Sequence, residues 1–277
     1  MSPDQYCEQK AAASGSSFYY AFRFLPPARR RAITALYAFC REVDDAVDEP
    51  HDPAIARARI GWWSEEVDAI YSGKAKHPVG QALEPVIGPY DLRRELLEEI
   101  IAGMAMDLDH RRYATYEQLQ LYCHRVAGVV GTLAARIFGY TNPRTLEYAE
   151  RLGLSFQLTN IIRDIGEDAR RNRIYIPMED LAAYNVSAAD VLRSQPSENF
   201  RRLMAFQIRR AEENYAQALA LLPAEDRRPQ RPGLVMAAIY RTLLTEIGRA
   251  PELVLTQRTA LPPIRKLWIA WRTWVAA

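Results

Sequence analysis

The stretch FQLTNIIRDIGEDARRNRIYIP, residues 156–177, carries the pattern that decides the fold. Leu158, Ile161 and Ile165 recur at three and four residues, which is the spacing of the buried face of an α-helix. A second stripe on the same helix holds four oxygen-bearing side chains, Gln157, Asn160, Asp164 and Asp168. Because an α-helix advances by about 100° per residue, these four form one polar ridge beside the apolar face. Such a ridge is typical of the wall of a polar cavity in a helical protein.

A second acidic pattern, CREVDDAVDE at residues 40–49, lies in another predicted helix. Asp44 and Asp48 are one helical turn apart, where like charges repel each other. Asp44 falls within the apolar sector of this helix and Asp48 at its edge, whereas Glu42 and Asp45 point away from it. A solvated acidic face is the usual explanation of such a run. Two inward carboxylates instead require a metal ion, an arginine or a polar cavity, and the helical positions favour this second explanation.

Two helices that each present carboxylates one turn apart can bracket a diphosphate through Mg²⁺. This ion prefers oxygen ligands and is held by one or two carboxylates together with substrate phosphates, and Mn²⁺ suits the same ligands. The available bases are mostly arginines, which bind phosphate in a fork-like geometry. Arg41 lies beside Asp48, and Arg173 follows the second acidic pattern. Arg163 points away from the polar ridge, so a solvated arginine or one paired with glutamate is the alternative for it.

The rest of the chain also repeats at helical spacing, and few stretches alternate as a strand would, so we predict an all-α protein. Beyond a helix that begins at Pro26-Pro27 and ends near Val47, the predicted helices lie near 54–72, 91–106, 116–138, 144–170, 197–221, 233–249 and 263–275. The run PAEDRRPQRPG, residues 223–233, is predicted to be an exposed loop. No break is long enough for a linker, so we expect one domain over residues 1–277.

The segment YCHRVAGVVGTLAARIFG, residues 122–139, combines a glycine pair with a tyrosine on an apolar stripe. Gly128 and Gly131 lower helix propensity, which indicates that another helix or a ligand approaches closely there. Tyr122 is either an ordinary core residue or a residue that presents its hydroxyl and ring to a ligand.

Composition excludes several classes of protein. The 277 residues carry 36 Lys+Arg and 34 Asp+Glu, a formal net charge of +2 that gives no argument for nucleic-acid binding. The three cysteines show no metal-ligand spacing and cannot form a closed disulfide framework. There is no signal-peptide pattern and no stretch of 18 uncharged apolar residues. We therefore expect a cytoplasmic protein.

The last predicted helix carries a tryptophan stripe. Trp268, Trp271 and Trp274 are three residues apart and have basic neighbours at Arg265, Lys266 and Arg272. We expect these aromatic rings to pack on the body of the protein. The alternative is peripheral contact with the inner face of a membrane.

Four motifs, in order and at compatible distances, resemble those of the squalene/phytoene synthases, which join prenyl diphosphates head to head. They are SGSSFYYAFRFLP (14–26), LYAFCREVDDAVDE (36–49), YCHRVAGVVG (122–131) and QLTNIIRDIGEDARRNRIYIP (157–177). The resemblance covers essentially the full chain, and its N-terminal part looks most like the bacterial presqualene diphosphate synthases of hopanoid biosynthesis. It implies an all-α isoprenoid synthase fold with a central cavity whose mouth carries both acidic patterns.

The resemblance also implies site residues. By position, those that match the family's magnesium ligands are Asp44, Asp48, Asn160, Asp164 and Asp168. Those that would surround the diphosphates are Ser14, Ser17, Tyr37, Arg41, Gln157, Arg163, Arg173 and Tyr240. Phe18 would lie in a flap over the reacting carbons. Tyr122 matches a central tyrosine and is our hypothesis for the proton acceptor, alone or acting with released diphosphate.

The implied reaction is condensation of two farnesyl diphosphates to presqualene diphosphate, with Mg²⁺ as cofactor. We expect no NADPH requirement, because reducing relatives in eukaryotes are longer and end in a membrane anchor that this sequence lacks. A phytoene or dehydrosqualene synthase is the closest alternative, followed by a full squalene synthase and a terpene cyclase. A noncatalytic helical assembly factor would be expected to lose acidic residues that are intact here.

Overall fold

The computed structural model describes residues 1–13, 21–22, 24–49 and 52–276, and their secondary structure is helical apart from one isolated β-bridge. The first helices are α1 (Pro3–Ala13), α2 (Pro27–Asp48), α3 (Pro53–Tyr71), α4 (Pro78–Ile87), α5 (Arg94–Asp109) and α6 (Tyr116–Cys123). A π-helical turn (His124–Gly128) joins α6 to α7 (Val129–Phe138). The remaining helices are α8 (Arg144–Arg170), α9 (Met178–Ala183), α10 (Ala188–Leu192), α11 (Glu198–Leu221), α12 (Arg231–Arg249) and α13 (Pro263–Ala276). Two 3₁₀ turns complete the list, Ala224–Asp226 and Pro251–Leu255.

The all-α prediction is confirmed, and the long predicted helices match within a few residues. Proline in the first turn starts α2, α3 and α4, where the missing N–H has no helical partner in any case. The sequence analysis missed α1, α4, α9 and α10. Three of these are ten residues long or shorter, which leaves little room for a periodic pattern, and α1 has almost no amphipathic character.

Helix α8 is the central element and packs against α7, α11 and α12. At its crossing with α7, two glycines let the backbones touch. A Cβ on Gly153 would overlap the Ala127 carbonyl oxygen, and a Cβ on Gly131 would overlap the Ala149 carbonyl oxygen. The prediction that the glycines of residues 122–139 mark a close approach is therefore confirmed, and the approaching element is a helix. The crossing includes the π-helical turn, to which Ala127 belongs, and such a distortion often accompanies functional sites.

The predicted exposed loop at residues 223–233 is wrong in part. Asp226 and Gln230 are buried, and α12 already begins at Arg231. The Asp226 carboxylate accepts hydrogen bonds from the Thr141 backbone N–H at 2.7 Å, the Asn142 backbone N–H at 2.9 Å and the Thr145 hydroxyl at 2.6 Å. A polar sequence was mistaken for a solvated one, because these partners lie more than 80 positions away in the chain.

Replacing Asp226 with alanine should lower the free energy of unfolding by about 3 kcal/mol, because it leaves buried donors without an acceptor. Burial opposes ionisation of Asp226, but these hydrogen bonds still hold its pKa below the ordinary value. The contribution of the charge is therefore present above the unfolded pKa of about 3.9 and is lost as pH falls through the lower folded value. Urea denaturation at pH 7 and pH 3 measures both effects. The exposed neighbour is the control, and Glu225→Ala should change stability much less than Asp226→Ala does.

Candidate active site

A polar cavity of 520 Å³ opens between α2, α5, α8 and α12, and its lining is completed by α6, the π-helical turn, the segment after α8 and the loop before α13. Every predicted site residue within the described ranges lines it: Tyr37, Arg41, Asp44, Asp48, Tyr122, Gln157, Asn160, Arg163, Asp164, Asp168, Arg173 and Tyr240. Ser14, Ser17 and Phe18 lie outside the described residues. The two acidic patterns, more than a hundred residues apart in sequence, thus share one cavity.

The first acidic pattern is neutralised by arginines. Arg41 donates to Asp44 at 2.7 Å, and Arg171 and Arg173 donate to the two oxygens of Asp48 at 2.6 and 2.7 Å. Burial raises the pKa of Asp44 to about 6, although Arg41 opposes the shift. Guanidinium groups lying this close to carboxylates are also placed to bind a diphosphate.

The outward carboxylates of α2 are not solvated. Lys10 of α1 lies 2.9 Å from Glu42 and 2.7 Å from Asp45, and the Tyr6 hydroxyl donates to Glu42 at 2.7 Å. Their direction away from the apolar sector agrees with the helical positions. The solvent expected beyond them is replaced by α1, a helix that the sequence analysis did not predict.

The second acidic pattern forms the opposite wall. Arg163 donates to Asp164 at 2.7 Å through Nε, and Arg258 donates to the same oxygen at 2.9 Å. Burial alone would raise the pKa of Asp164, but these two arginines hold that pKa below its ordinary value. Arg163 is neither solvated nor paired with a glutamate, because it lines the cavity and its guanidinium pairs with Asp164.

Asp168 and Asn160 differ from their neighbours on this ridge. Asp168 has no ion pair within the described ranges, and burial together with Asp164 and Asp107 raises its pKa to about 7. The Asn160 Oδ1 atom is buried and has no hydrogen-bond partner in the part of the chain that the structure describes. Both side chains therefore offer an unused oxygen to whatever enters the cavity.

A buried carboxylate beneath the cavity was not predicted. The Tyr122 hydroxyl donates to Asp107 Oδ2 at 3.0 Å, and the Tyr175 hydroxyl donates to Oδ1 at 2.7 Å. Burial raises the pKa of Asp107 to about 6, and burial raises the pKa of Tyr122 well above its ordinary value. The signal was available in α5, where Asp107 follows Ile100 and Met104 on the apolar face. It was missed because only carboxylates in pairs were considered.

Arg258 was also missed, and no signal could have found it. It lies in an irregular loop between the last two helices, outside any periodic pattern. Only the fold brings that loop over the end of α8, where Arg258 reaches Asp164.

An apolar cavity of 180 Å³ continues from the polar one. The two cavities share Tyr37, Cys40, Val126, Gln157 and Asn160 at their junction. The apolar cavity then follows α7 and α8 toward Phe22, Phe138 and Tyr148 at the far end. The rings of Phe22 and Phe138 lie with their centroids 6.3 Å apart. A polar mouth that leads into an apolar pocket suits a ligand with a charged head and a hydrocarbon tail.

Comparison with known proteins shows the family of this chain. The family model for squalene/phytoene synthase matches residues 11–265. The chain belongs to the squalene/phytoene synthase family. The phytoene synthase of Arthrospira platensis is 37% identical, over 94% of this chain and 89% of that protein. The 15-cis-phytoene synthase of Synechocystis is 34% identical, over 98% of this chain and 84% of that protein.

Solved structures of the squalene/phytoene synthase family share the fold. A dehydrosqualene synthase in complex with a ligand superposes with a TM-score of 0.88 at 26% identity, covering 99% of this chain and 96% of that one. Squalene synthase HpnC from Alicyclobacillus acidocaldarius superposes with a TM-score of 0.78 at 26% identity, covering 90% of this chain and 94% of that one. The isoprenoid synthase fold is thereby confirmed, and the chain is a member of a family of head-to-head prenyltransferases.

The cavity residues fit divalent metal ions. No group of three or more His, Cys, Asp or Glu side chains in the described ranges is already arranged as a metal site. The available donors are nevertheless the hard oxygens that Mg²⁺ prefers, including the unpartnered Oδ1 of Asn160. The raised pKa of Asp44 and of Asp168 reflects burial among other carboxylates, a condition that a bound cation relieves.

Proposed function

We propose that this protein condenses two molecules of one prenyl diphosphate head to head, with release of diphosphate and without a reductant. The observation that supports this proposal is the shared cavity, in which two acidic patterns and their arginines face the entrance of an apolar pocket. Asp44, Asp48, Asn160, Asp164 and Asp168 would hold Mg²⁺. When bound, the ion supplies positive charge that neutralises the leaving diphosphate.

The first candidate for the product is phytoene. The relatives named above, at 37% and 34% identity over nearly the whole chain, are phytoene synthases. They support this product, made from geranylgeranyl diphosphate, better than they support presqualene diphosphate.

The second candidate is presqualene diphosphate, formed from two farnesyl diphosphates. The N-terminal sequence motif supports it, and so does the length of the apolar pocket. Asn160 at the junction and Tyr148 at the far end are 12 positions apart in α8, a rise of about 18 Å. An extended farnesyl chain is about 14 Å long and a geranylgeranyl chain about 19 Å, taking C–C bonds of about 1.5 Å. An extended farnesyl chain is shorter than this span, and an extended geranylgeranyl chain is about as long.

Product analysis separates these candidates. Purified protein with Mg²⁺ would be given labelled farnesyl or geranylgeranyl diphosphate, each with and without NADPH. A C40 hydrocarbon from geranylgeranyl diphosphate supports the first candidate. Presqualene diphosphate from farnesyl diphosphate, unchanged by NADPH, supports the second, and squalene as the main product would contradict both. No product from either substrate would contradict the proposed condensation itself.

The wall at the end of the apolar pocket should control chain length. Replacing Phe22 with alanine removes a buried ring opposite Phe138, so the pocket gains room for additional isoprene carbons. We expect the ratio of C40 to C30 products to rise at least tenfold, since each methylene in such a pocket changes selectivity by about 10-fold or more. Competition between the two labelled substrates measures this ratio. Phe206→Ala, a substitution of a phenylalanine that packs on Tyr184 away from both cavities, is the control and should leave the ratio unchanged.

Tyr122 and Asp107 supply a path for the proton that leaves when the cyclopropane ring closes. The double bond of one substrate attacks the allylic carbon of the other as diphosphate departs. The electrons of a C–H bond then form the ring bond. That proton would pass to the Tyr122 oxygen while the Tyr122 proton passes to Asp107, 3.0 Å away. The rings of Tyr122 and Tyr175, with centroids 5.2 Å apart, form a wall of the kind that stabilises a nearby cation.

Tyr122→Phe should lower kcat about 100-fold, the usual size of a lost proton-transfer group. Tyr113→Phe is a matched control, because Tyr113 packs in the same aromatic cluster but its hydroxyl has no hydrogen-bond partner among the described residues. Asp107→Asn should match the loss in Tyr122→Phe, and the double variant should lose little more. Unchanged turnover in Tyr122→Phe would assign the proton to another acceptor.

A further inference from the structure

Helix α13 carries an apolar stripe that faces solvent. Ile264, Trp268, Trp271 and Val275 recur at four, three and four residues, and their exposed fractions are 76%, 57%, 52% and 67%. The rings of Trp268 and Trp271 lie against each other, with centroids 5.2 Å apart. We call these four residues the Trp face. An exposed aromatic stripe of this kind is unusual on a protein surface and indicates a contact site.

The other side of α13 is attached to the protein. Ile269 and Ala270 are buried, and Trp274 packs on Phe24 with ring centroids 5.1 Å apart. The expectation that all three tryptophans pack on the body therefore holds for Trp274 alone. The Trp face is held outward by a helix that is fixed on its opposite side.

The segment that carries the Trp face has bases and no acids. From Thr256 to Ala276 the bases are Arg258, Arg265, Lys266 and Arg272. Arg258 donates to Asp164, and Lys266 lines the cavity on the other side of α13. The two bases beside the Trp face are therefore Arg265, which lies 2.8 Å from Glu246 of α12, and the exposed Arg272. Amphipathic helices with tryptophan on one face and bases beside it bind the interface of anionic bilayers. A second copy of the chain is a poor occupant, because a two-fold contact would bring both sets of bases together.

The Trp face and the cavity lie on opposite sides of α13. Leu261 and Lys266 line the polar cavity, and Lys266 lies about 160° around the helix from Trp268. No helix in the part of the chain that the structure describes is long and apolar enough to span a membrane. Contact through α13 would be peripheral, because its 14 residues are too few to cross a bilayer.

We propose that the Trp face docks on an anionic lipid surface. Such docking suits the proposed function, because prenyl chains and a hydrocarbon product partition into lipid. The docking itself rests only on the exposed apolar stripe and its bases. It can therefore be tested without substrate.

Cosedimentation with vesicles tests the docking. The full chain would be mixed with phosphatidylcholine vesicles with or without 30% phosphatidylglycerol, at low and high salt. We expect anionic vesicles to bind at least tenfold more tightly, with the difference reduced by salt. Trp268→Ala/Trp271→Ala should weaken binding at least tenfold, and Arg272→Gln about fivefold. Trp62→Ala, which removes an exposed tryptophan of α3, should bind as the wild type does.

Insertion of the tryptophan side chains into the bilayer can be detected by fluorescence. Tryptophan emission should shift to shorter wavelength on anionic vesicles, and brominated lipids should quench it in the wild type more than in the double variant. Equal binding by the wild type and the double variant would overturn the proposal. So would a solution dimer that only the double variant loses, since that result would assign the Trp face to a second copy. Turnover measured in detergent checks the proposed function separately, and it should be the same in the wild type and the double variant.

Discussion

Asp168→Asn should lower kcat by about 10³ while leaving the fold intact. Asp168 lines the polar cavity and has no ion pair among the described residues, so the change frees no arginine. Its carboxylate is one of the five proposed metal ligands, and an amide oxygen binds Mg²⁺ more weakly because it carries no charge. Loss of one group that stabilises developing charge typically lowers kcat by about 10²–10³, and loss of ion occupancy adds to it.

Two measurements distinguish this loss from a folding defect. The variant should need a higher Mg²⁺ concentration for half-maximal activity, and its thermal unfolding should match the wild type. Glu147→Gln is the matched control, because it neutralises an exposed carboxylate in the first turn of the same helix, α8. Wild-type turnover and an unchanged Mg²⁺ dependence in Asp168→Asn would remove Asp168 from the proposed ligand set.

The second large effect concerns stability. Gly153→Ala should lower the free energy of unfolding by about 3 kcal/mol, because the added methyl overlaps the backbone of the π-helical turn before α7, at Ala127. Backbone atoms cannot move aside as the end of a flexible side chain can, so α7 and α8 must separate. The site responds as well, since Val126 at the cavity junction belongs to the same crossing.

Gly61→Ala is the control for the helix propensity of glycine. Gly61 is exposed within α3, and a Cβ there would meet nothing within 4 Å. Alanine at this position should raise stability by about 0.5–1 kcal/mol. Chemical denaturation of the two variants should therefore give changes of opposite sign. A stabilised Gly153→Ala variant would contradict the close approach of the two backbones.

Much of the candidate site could be predicted from local periodicity. Asp44 and Asp164 lie on helices longer than 20 residues, where the position on the helix already indicates the side that faces the interior. Arg163 shows the limit of this method. A helical position gives the direction of a Cβ atom, but a long side chain can bend back toward a carboxylate.

The errors have a common physical cause. Asp226 was placed in an exposed loop because its neighbours in sequence are polar, and Glu42 was placed on the outward side of its helix. Each instead meets a partner from another element, the Thr141 turn in one case and Lys10 of α1 in the other. When the hydrogen-bond or ion-pair partner of a polar side chain is far away in the chain, the sequence shows no periodic pattern that reveals it.

The sequence by itself determined the helices and which of their faces are apolar, because both depend on contacts within a few residues along the chain. It also determined the two acidic patterns and the family to which the chain belongs. Only the tertiary structure decided that Asp107 lies beneath Tyr122, that Arg258 reaches Asp164, and that Trp268 and Trp271 face outward while Trp274 packs inward. These three features depend on how separate elements pack together, and the sequence pattern of one helix carries no information about its partner.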